Sequence, residues 1–305
     1  MKRNIYSKLW MIFFVLMGAA CTNQVEDAIP VSGQPIEFSV QSDWKEIHNS
    51  RSNDKTQFGP NDEIQIFGFH KPFRDADENV QFMYKEGDPT TGQKVTYDNG
   101  NWNYSPKRFW PKKGVLDFFA SYPYNSVHYD VGNKRMTYNN NLTQDLLYGL
   151  ATNRDCASKE TVSIWMVHAL AKVRIILDES LGDIGQVTVS GYKTGHFSPI
   201  NNGVPAWEID NVNTHIYADF RKYEGKVDEE LKNNNSVTVF ILPDKITGLK
   251  MWNSVGQEID ASEEIKRHTF LAGKVYNLTI SKSNGVRKKN TNSRSIAMSV
   301  RCVSE

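Results

Sequence analysis

The chain has 305 residues, of which 39% are hydrophobic and 23% charged, and its formal net charge is +1. This length exceeds one average domain and leaves enough apolar residues for two separate cores. A balanced charge gives no support for binding to nucleic acid, so we expect no nucleic acid partner.

The N-terminus is typical of a lipoprotein signal peptide. Basic residues precede an apolar run over 9–17 that is too short to span a bilayer, and small residues lead to Cys21. We interpret residues 1–20 as the signal and Cys21 as the acylated first residue of the mature chain, held to a membrane by its acyl chains. Ordinary cleavage next to an incidental cysteine is the alternative, because Gly18 stands where lipoprotein signals prefer leucine.

The next residues predict a tether and then a first strand. Residues 21–35 are polar and include Pro30, Gly33 and Pro35, a composition that favours a flexible tether. Ile36, Phe38 and Val40 then alternate with polar residues. This alternation predicts a strand with one buried face.

Strands with turns between them dominate the middle of the chain. Ile64 and Ile66 continue in Phe67 and Phe69 after a change of parity at Gly68, which suggests a β-bulge. Residues 98–100 read Asp-Asn-Gly and predict a tight hairpin, since Asn-Gly readily adopts positive φ. Residues 116–122 alternate again and end at a proline.

The second half of the chain shows the same pattern. Alternation from Val162 to Leu170 shifts parity before Val173, which predicts a long bulged strand, with a short helix through 168–172 as the alternative. Five more strands are expected at 185–192, 215–220, 236–242, 248–252 and 274–280. Many strands separated by turn residues favour antiparallel β-sandwiches over a parallel sheet.

We therefore predict a mostly β fold with two tandem antiparallel β-sandwich domains. The polar segment 151–159 suggests a boundary, giving an N-terminal sandwich over 36–155 and a C-terminal one over 156–283. Residues 284–305 begin as a basic linker and end in an alternating strand whose buried face consists of Ile296, Met298, Val300 and Cys302.

The chain carries no motif of a catalytic, phosphate-binding or metal-binding site, so we expect neither an enzyme nor a cofactor or metal. The seven histidines are scattered; His168, on an apolar face, is expected to be a core imidazole bonded to the backbone. Cys156 and Cys302 are expected to be unpaired thiols. Five tryptophans could include a sugar-stacking platform, although core packing is the commoner role of such residues: Trp102, Trp110, Trp165, Trp207 and Trp252.

Three phrases resemble, in order and spacing, the central block of the fimbrillin family. They are FWPKKGVLDFFASYPY at 109–124, DLLYG at 145–149 and VHALAKVRIIL at 167–177. The resemblance implies a pilus subunit built as two transthyretin-like β-sandwiches. It also implies an outer-membrane lipoprotein, carrying palmitate among its acyl chains, that is exposed on the surface and enters the fimbrium after assembly.

The resemblance further implies assembly by strand exchange. A protease cuts after a basic residue, the first strand is lost, and a strand from a neighbouring subunit fills the groove. Here the displaced strand would be Ile36–Gln41, with Ile36, Phe38 and Val40 as its buried residues, and the cut would follow Arg51 or, as second choice, Lys55. The inserted strand would be Ser295–Val303; an ordinary last strand on its own domain is the alternative.

The expected function is that of a structural or adhesive fimbrial subunit. Its partners would be other fimbrial subunits, the trimming protease and the outer membrane, with a host glycan or protein as a candidate receptor. The alternative is a monomeric surface lipoprotein that binds glycans through exposed tryptophans.

Overall fold

The computed structural model describes residues 29, 31–42, 57–71, 80–198, 205–210, 215–223, 225–282 and 298–304. Strands dominate these residues, which confirms the prediction of a mostly β fold. The first half contains β1 (Val31–Pro35), β2 (Phe38–Ser42), β3 (Glu63–Lys71), β4 (Val80–Met83), β5 (Gln93–Asp98), β6 (Asn101–Asn103), β7 (Phe109–Pro111), β8 (Val115–Tyr122), β9 (Val127–Asp130), β10 (Arg135–Asn139), β11 (Leu147–Asp155) and β12 (Val162–His168).

The second half adds ten strands and three short helices among the described residues. The strands are β13 (Ala171–Leu177), β14 (Ile184–Tyr192), β15 (Thr194–Phe197), β16 (Glu208–Ile209), β17 (His215–Arg221), β18 (Ser236–Ile241), β19 (Gly248–Asn253), β20 (Glu258–Asp260), β21 (Val275–Lys282) and β22 (Met298–Ser304). The helices are a 3₁₀ turn (Glu179–Leu181), α1 (Glu229–Asn234) and α2 (Ser262–Ile265). Among the described residues, no helix is long and apolar enough to cross a membrane.

The N-terminal sheet has the strand order β2-β12-β11-β8-β3-β5-β6, with β4 on the side of β3. One of its faces covers a core that includes Ile64, Ile66 and Phe118. Its other face contributes Phe67, Phe69 and Phe119 to a second core, which the small sheet β16-β15-β10-β9 closes. The sheet is therefore buried on both sides at its centre.

This double burial explains the apparent parity change in β3. The pairing of β3 with β8 runs without a shift from Gln65 to Lys71, whereas its pairing with β4 shifts register between Gly68 and Phe69, where the bulge was predicted. Ile64 and Ile66 face one core while Phe67 and Phe69 face the other. The run of apolar residues through Gly68 therefore also reflects a strand that is buried on both faces.

The C-terminal strands form a sandwich of two four-stranded sheets, β18-β13-β21-β22 and β17-β14-β19-β20. A single large core lies between them and contains, among others, Val173, Val187 and Leu249. All five strands predicted in this half are observed as β14, β17, β18, β19 and β21. The turn predicted at 98–100 is confirmed as well, since Asn99 and Gly100 have φ of 48° and 87° between β5 and β6.

The long bulged strand predicted from residue 162 is instead two strands in different sheets. β12 pairs with β11 and β2, whereas β13 pairs with β18 and β21. Ala169 and Leu170, which connect them, are both buried in the core under the small sheet. The parity shift marks a crossing between sheets rather than a bulge.

Strand pairing also differs from the predicted division at residue 156. β12, expected to begin the second sandwich, places Val162, Ile164 and Met166 in the N-terminal core. β15, which follows β14 in the chain, pairs with β10 of the first half. Among the strands that the structure describes, two pairings are parallel rather than antiparallel, β2 with β12 and β13 with β21.

Candidate functional site

The segment before residue 43 is bound to the N-terminal sheets by two successive strands. Val31–Pro35, which falls in the predicted tether, forms β1 and pairs with β7. β2 then runs parallel to β12, with Phe38 opposite Val162 and Val40 opposite Ile164. β2 is the end strand of its sheet, so in the described structure it has a strand partner on one side only.

The predicted displaced strand buries the three residues that alternation assigned to the core. Ile36 is fully buried, and Phe38 and Val40 are 6% and 7% exposed, while the residues between them face solvent. The Phe38 ring meets Phe118 edge-on at 5.4 Å between centroids and lies 5.8 Å from Tyr104. Such contacts add to the stabilisation from buried area.

Polar contacts hold the backbone of this segment as well. The Tyr104 hydroxyl donates to the Ile36 carbonyl at 2.8 Å, and the Trp102 indole N–H donates to the Val40 carbonyl at 3.3 Å. The Ile36 N–H donates to the Arg108 carbonyl at 2.9 Å. Burial raises the pKa of Tyr104 to about 12, so its hydroxyl remains a donor at any physiological pH.

Tyr104 was not singled out from the sequence, and Trp102 was named only as a candidate for sugar stacking or core packing, not as a contact of the first predicted strand. Trp102 and Tyr104 share one parity on and just after β6, and both are buried. That parity was the available signal, since alternate aromatic residues after a tight hairpin indicate a face turned to a core. What the sequence could not show is that this face meets the first strand of the chain.

The groove occupied by β2 is therefore apolar and aromatic on its inner side. Taking β2 away would uncover the backbone edge of β12 and the side chains that contact Ile36, Phe38 and Val40. A new strand could use the same carbonyl positions and side-chain pockets, which is the physical basis of β-strand addition.

The remaining predicted site residues are placed as follows. Cys21, Arg51, Lys55 and Ile296 lie outside the described residues. Met298, Val300 and Cys302 lie in β22, which forms an antiparallel ladder with β21 from Lys282↔Met298 to Tyr276↔Ser304. In this structure the candidate donor strand is thus the end strand of its own chain's sheet.

The structure also places the histidine, the cysteine and the tryptophans that were singled out from the sequence. The Nδ1 atom of the His168 ring is hydrogen-bonded to the Asp145 carboxylate, a side-chain partner that the sequence did not suggest. Cys156 is a buried free thiol, and burial raises its pKa to about 12. Trp102 and Trp110 are core residues, and Trp207 packs edge-on against Phe197, whereas Trp165 is 54% exposed. In the part of the chain that is described, no cluster of acidic, histidine or cysteine side chains is arranged to hold a metal.

Comparison with known proteins gives a family and a fold. A family model described as fimbrillin-like matches residues 50–297, and no match is found among curated proteins. A candidate cell adhesion protein from Bacteroides uniformis shares 16% identity, with 89% of this chain and 98% of that chain covered and a TM-score of 0.52. A second one from Bacteroides ovatus shares 14% identity, with 88% and 96% covered and a TM-score of 0.52.

A more distant structure is the C-terminally truncated tip fimbrial protein Mfa3 from Porphyromonas gingivalis. It shares 7% identity, with 81% of this chain and 95% of that chain covered and a TM-score of 0.40. The two Bacteroides structures support the β fold, and the family model covers most of the sequence. The chain belongs to the fimbrillin-like family.

Proposed function

We propose that this protein is a fimbrial subunit that assembles by β-strand exchange. Its own N-terminal strand is removed, and a strand from a neighbouring subunit takes the vacated place. It is exported as a lipoprotein acylated at Cys21, sits on the surface of the outer membrane and enters the fimbrium after trimming. Its partners are a trimming protease and other fimbrial subunits, and its role is structural or adhesive rather than catalytic.

The observation that carries this proposal is the position of β2 at the end of its sheet. An end strand can leave without breaking the ladders between the remaining strands, since only its pairing with β12 is lost. A central strand such as β8, paired with both β3 and β11, could not. The removable strand also has a continuous buried face, so its loss leaves a groove that a second strand can fill.

The energetics favour refilling of that groove. Burial of three side chains such as Ile36, Phe38 and Val40 contributes roughly 5–9 kcal/mol. Whole proteins are stable by only about 5–15 kcal/mol. A subunit that has lost β2 is therefore strongly destabilised, and insertion of another apolar strand restores much of the loss.

The proposed cut lies between β2 and β3. Arg51 is the first candidate and Lys55 the second, both in the stretch between Ser42 and Glu63, the end of β2 and the start of β3. Cleavage after either residue would separate β1 and β2 from the rest of the chain. Both β7 and β12 would then lose a partner strand.

The proposed donor is the C-terminal segment Ser295–Val303, from the same protein in a neighbouring subunit. Because β22 pairs with β21 along seven residues, donation requires this ladder to open first. The backbone hydrogen bonds lost from β21 are replaced by those gained along β12. The exchange is then driven by the side chains that enter the groove.

The test is treatment of the purified protein with an arginine-specific protease, followed by electrophoresis without heating. We expect a cut after Arg51, confirmed by intact mass, and a ladder of multimers that withstand detergent. Arg51→Ala should abolish both, while Lys55→Ala serves as the matched control and should behave like the unmodified protein. Protein that is fully cut after Arg51 and remains monomeric contradicts the proposal.

A second arm tests the donor. Deletion of residues 284–305 should leave cleavage intact and remove the multimers, if the tail is the inserted strand. Multimers that persist in the deletion variant refute the tail as donor but leave strand exchange standing. An intact monomer that resists trimming and binds polysaccharide would support the alternative, a monomeric glycan-binding surface lipoprotein.

A further inference from the structure

The outer face of the sheet β17-β14-β19-β20 carries both exposed aromatic rings and polar side chains. The inner side chains of this sheet, such as Val187, Val189 and Leu249, fill the C-terminal core. The alternate residues therefore point away from the core, and among the described residues no further layer of strands covers them. This outer face is defined by Gln186, Thr188, Ser190, Tyr217, Asp219, Arg221, Lys250 and Trp252.

Aromatic side chains stand at both ends of this face. Tyr217, 65% exposed, is paired with Ser190, and Trp252, half-buried, is paired with Gln186. Ser190 and Gln186 are four residues apart on β14, so the two aromatic positions are separated by about 13 Å along the strand direction. Next to Tyr217, the rings of Tyr192 and His215 stack with centroids 5.9 Å apart.

Polar residues lie between the two aromatic positions. In the row between that of Tyr217 and that of Trp252, Thr188 is paired with Asp219 on one side and with Lys250 on the other. Ser190 and Gly248 share the row of Tyr217, so only small residues stand beside that ring across the sheet.

The polar side chains of this face already have charged or hydrogen-bonding partners within the sheet. Lys250 lies 2.7 Å from a Glu258 oxygen and 3.9 Å from an Asp260 oxygen. The Thr188 hydroxyl donates to the Asp219 carboxylate on the neighbouring strand. These groups offer donors and acceptors to hydroxyls without presenting a net charge of one sign, which suits an uncharged ligand.

We propose that this face binds an uncharged oligosaccharide in an extended conformation. The apolar faces of its sugar rings stack on Tyr217 and Trp252, and its hydroxyls bond to Asp219, Thr188 and Lys250 in the row between them. Aromatic side chains supply flat apolar area, and a few fixed polar groups supply orientation. A protein partner would favour a more apolar centre with fewer charged side chains.

The proposal does not depend on strand exchange. None of the residues of this face lies in β1, β2, β12 or β22, so a trimmed, polymerised or monomeric protein would present the same surface. Failure of this proposal leaves the assembly mechanism untouched, and failure of strand exchange leaves this site standing.

The experiment is affinity electrophoresis of the purified full chain in native gels. The gels contain a mixed-linkage β-glucan, a galactomannan or the anionic polygalacturonate. We expect retardation by at least one of the two uncharged polysaccharides and none by polygalacturonate. Tyr217→Ala and Trp252→Ala should each weaken retardation by about tenfold in apparent affinity, which corresponds to about 1.4 kcal/mol.

Two control variants make the result specific. Tyr217→Phe keeps the ring and should stay within about twofold of the unmodified protein, and Trp165→Ala removes an exposed aromatic from a different sheet and should do the same. Absence of retardation by both uncharged polysaccharides overturns the proposal, as does an equal loss in Trp165→Ala. Self-association that Tyr217→Ala abolishes in sedimentation would overturn it too, since a second copy would then occupy the face through the β17 edge.

Discussion

Replacement of Phe38 by alanine tests whether the first strand belongs to the N-terminal core. Phe38 is almost fully buried, contacts Phe118 edge-on, and lies close to Tyr104 on its other side. Truncation of a buried phenylalanine costs about 3–5 kcal/mol, because both transfer energy and packing are lost. For a protein of this size we expect the midpoint of thermal unfolding to fall by roughly 6–20 °C.

The assay is unfolding in urea followed by tryptophan fluorescence. Trp102 and Trp110 lie in the same core as Phe38 and report on its loss. The control is Ser39→Ala, on the same strand but facing solvent, which should change stability by less than about 0.5 kcal/mol. A loss below about 1 kcal/mol for Phe38→Ala, or an equal loss for Ser39→Ala, would refute the view that β2 fills an apolar groove.

Three further predictions concern the N-terminal sheet. In Gly149→Ala the new Cβ would lie 2.6 Å from the Trp165 carbonyl oxygen, so we expect a loss of about 1–3 kcal/mol in urea unfolding; unchanged stability would show that β12 can shift. Cys156 should resist iodoacetamide at pH 8 in the folded protein and react after denaturation, as read by peptide mass; rapid alkylation of folded protein would contradict its burial. Lys71→Met removes the 2.7 Å ion pair of the buried Asp117 carboxylate and should cost about 3 kcal/mol in urea unfolding; no loss would mean that the Asn153 N–H alone satisfies the carboxylate.

The structure also indicates what loss of the N-terminal segment would do to the rest of the fold. Ile36 and β2 contribute to one core only, that of Phe118, and none of the three cores contains a residue of β1. Loss of the N-terminal segment therefore weakens one core and spares the two others. The C-terminal sheets, including the proposed oligosaccharide face, should keep their structure in a trimmed subunit.

Much of the strand content could be predicted from the sequence. Alternation identified the inward residues Ile36, Phe38 and Val40, and Asn-Gly identified the hairpin after β5, because side-chain period and turn conformation are local properties. The three phrases that resemble the fimbrillin family likewise lie within one central block of the sequence, residues 109–177. These features depend only on neighbouring residues, which the sequence contains in full.

Pairing between distant strands could not be predicted in this way. Alternation gives the face of a strand but not its neighbour, so β12 was assigned to the wrong half and β15 was not expected beside β10. The parallel pairing of β2 with β12 and the end position of β2 depend on contacts across more than a hundred residues.

The sequence by itself determined that this chain is a β protein in which Ile36, Phe38 and Val40 turn one face of a strand to a core. Only the tertiary structure decided which strand that segment pairs with, and which exposed aromatic residues share one face. The physical reason is that hydrogen-bond ladders join any two extended segments of suitable length, and the choice among them is made by packing of the whole core.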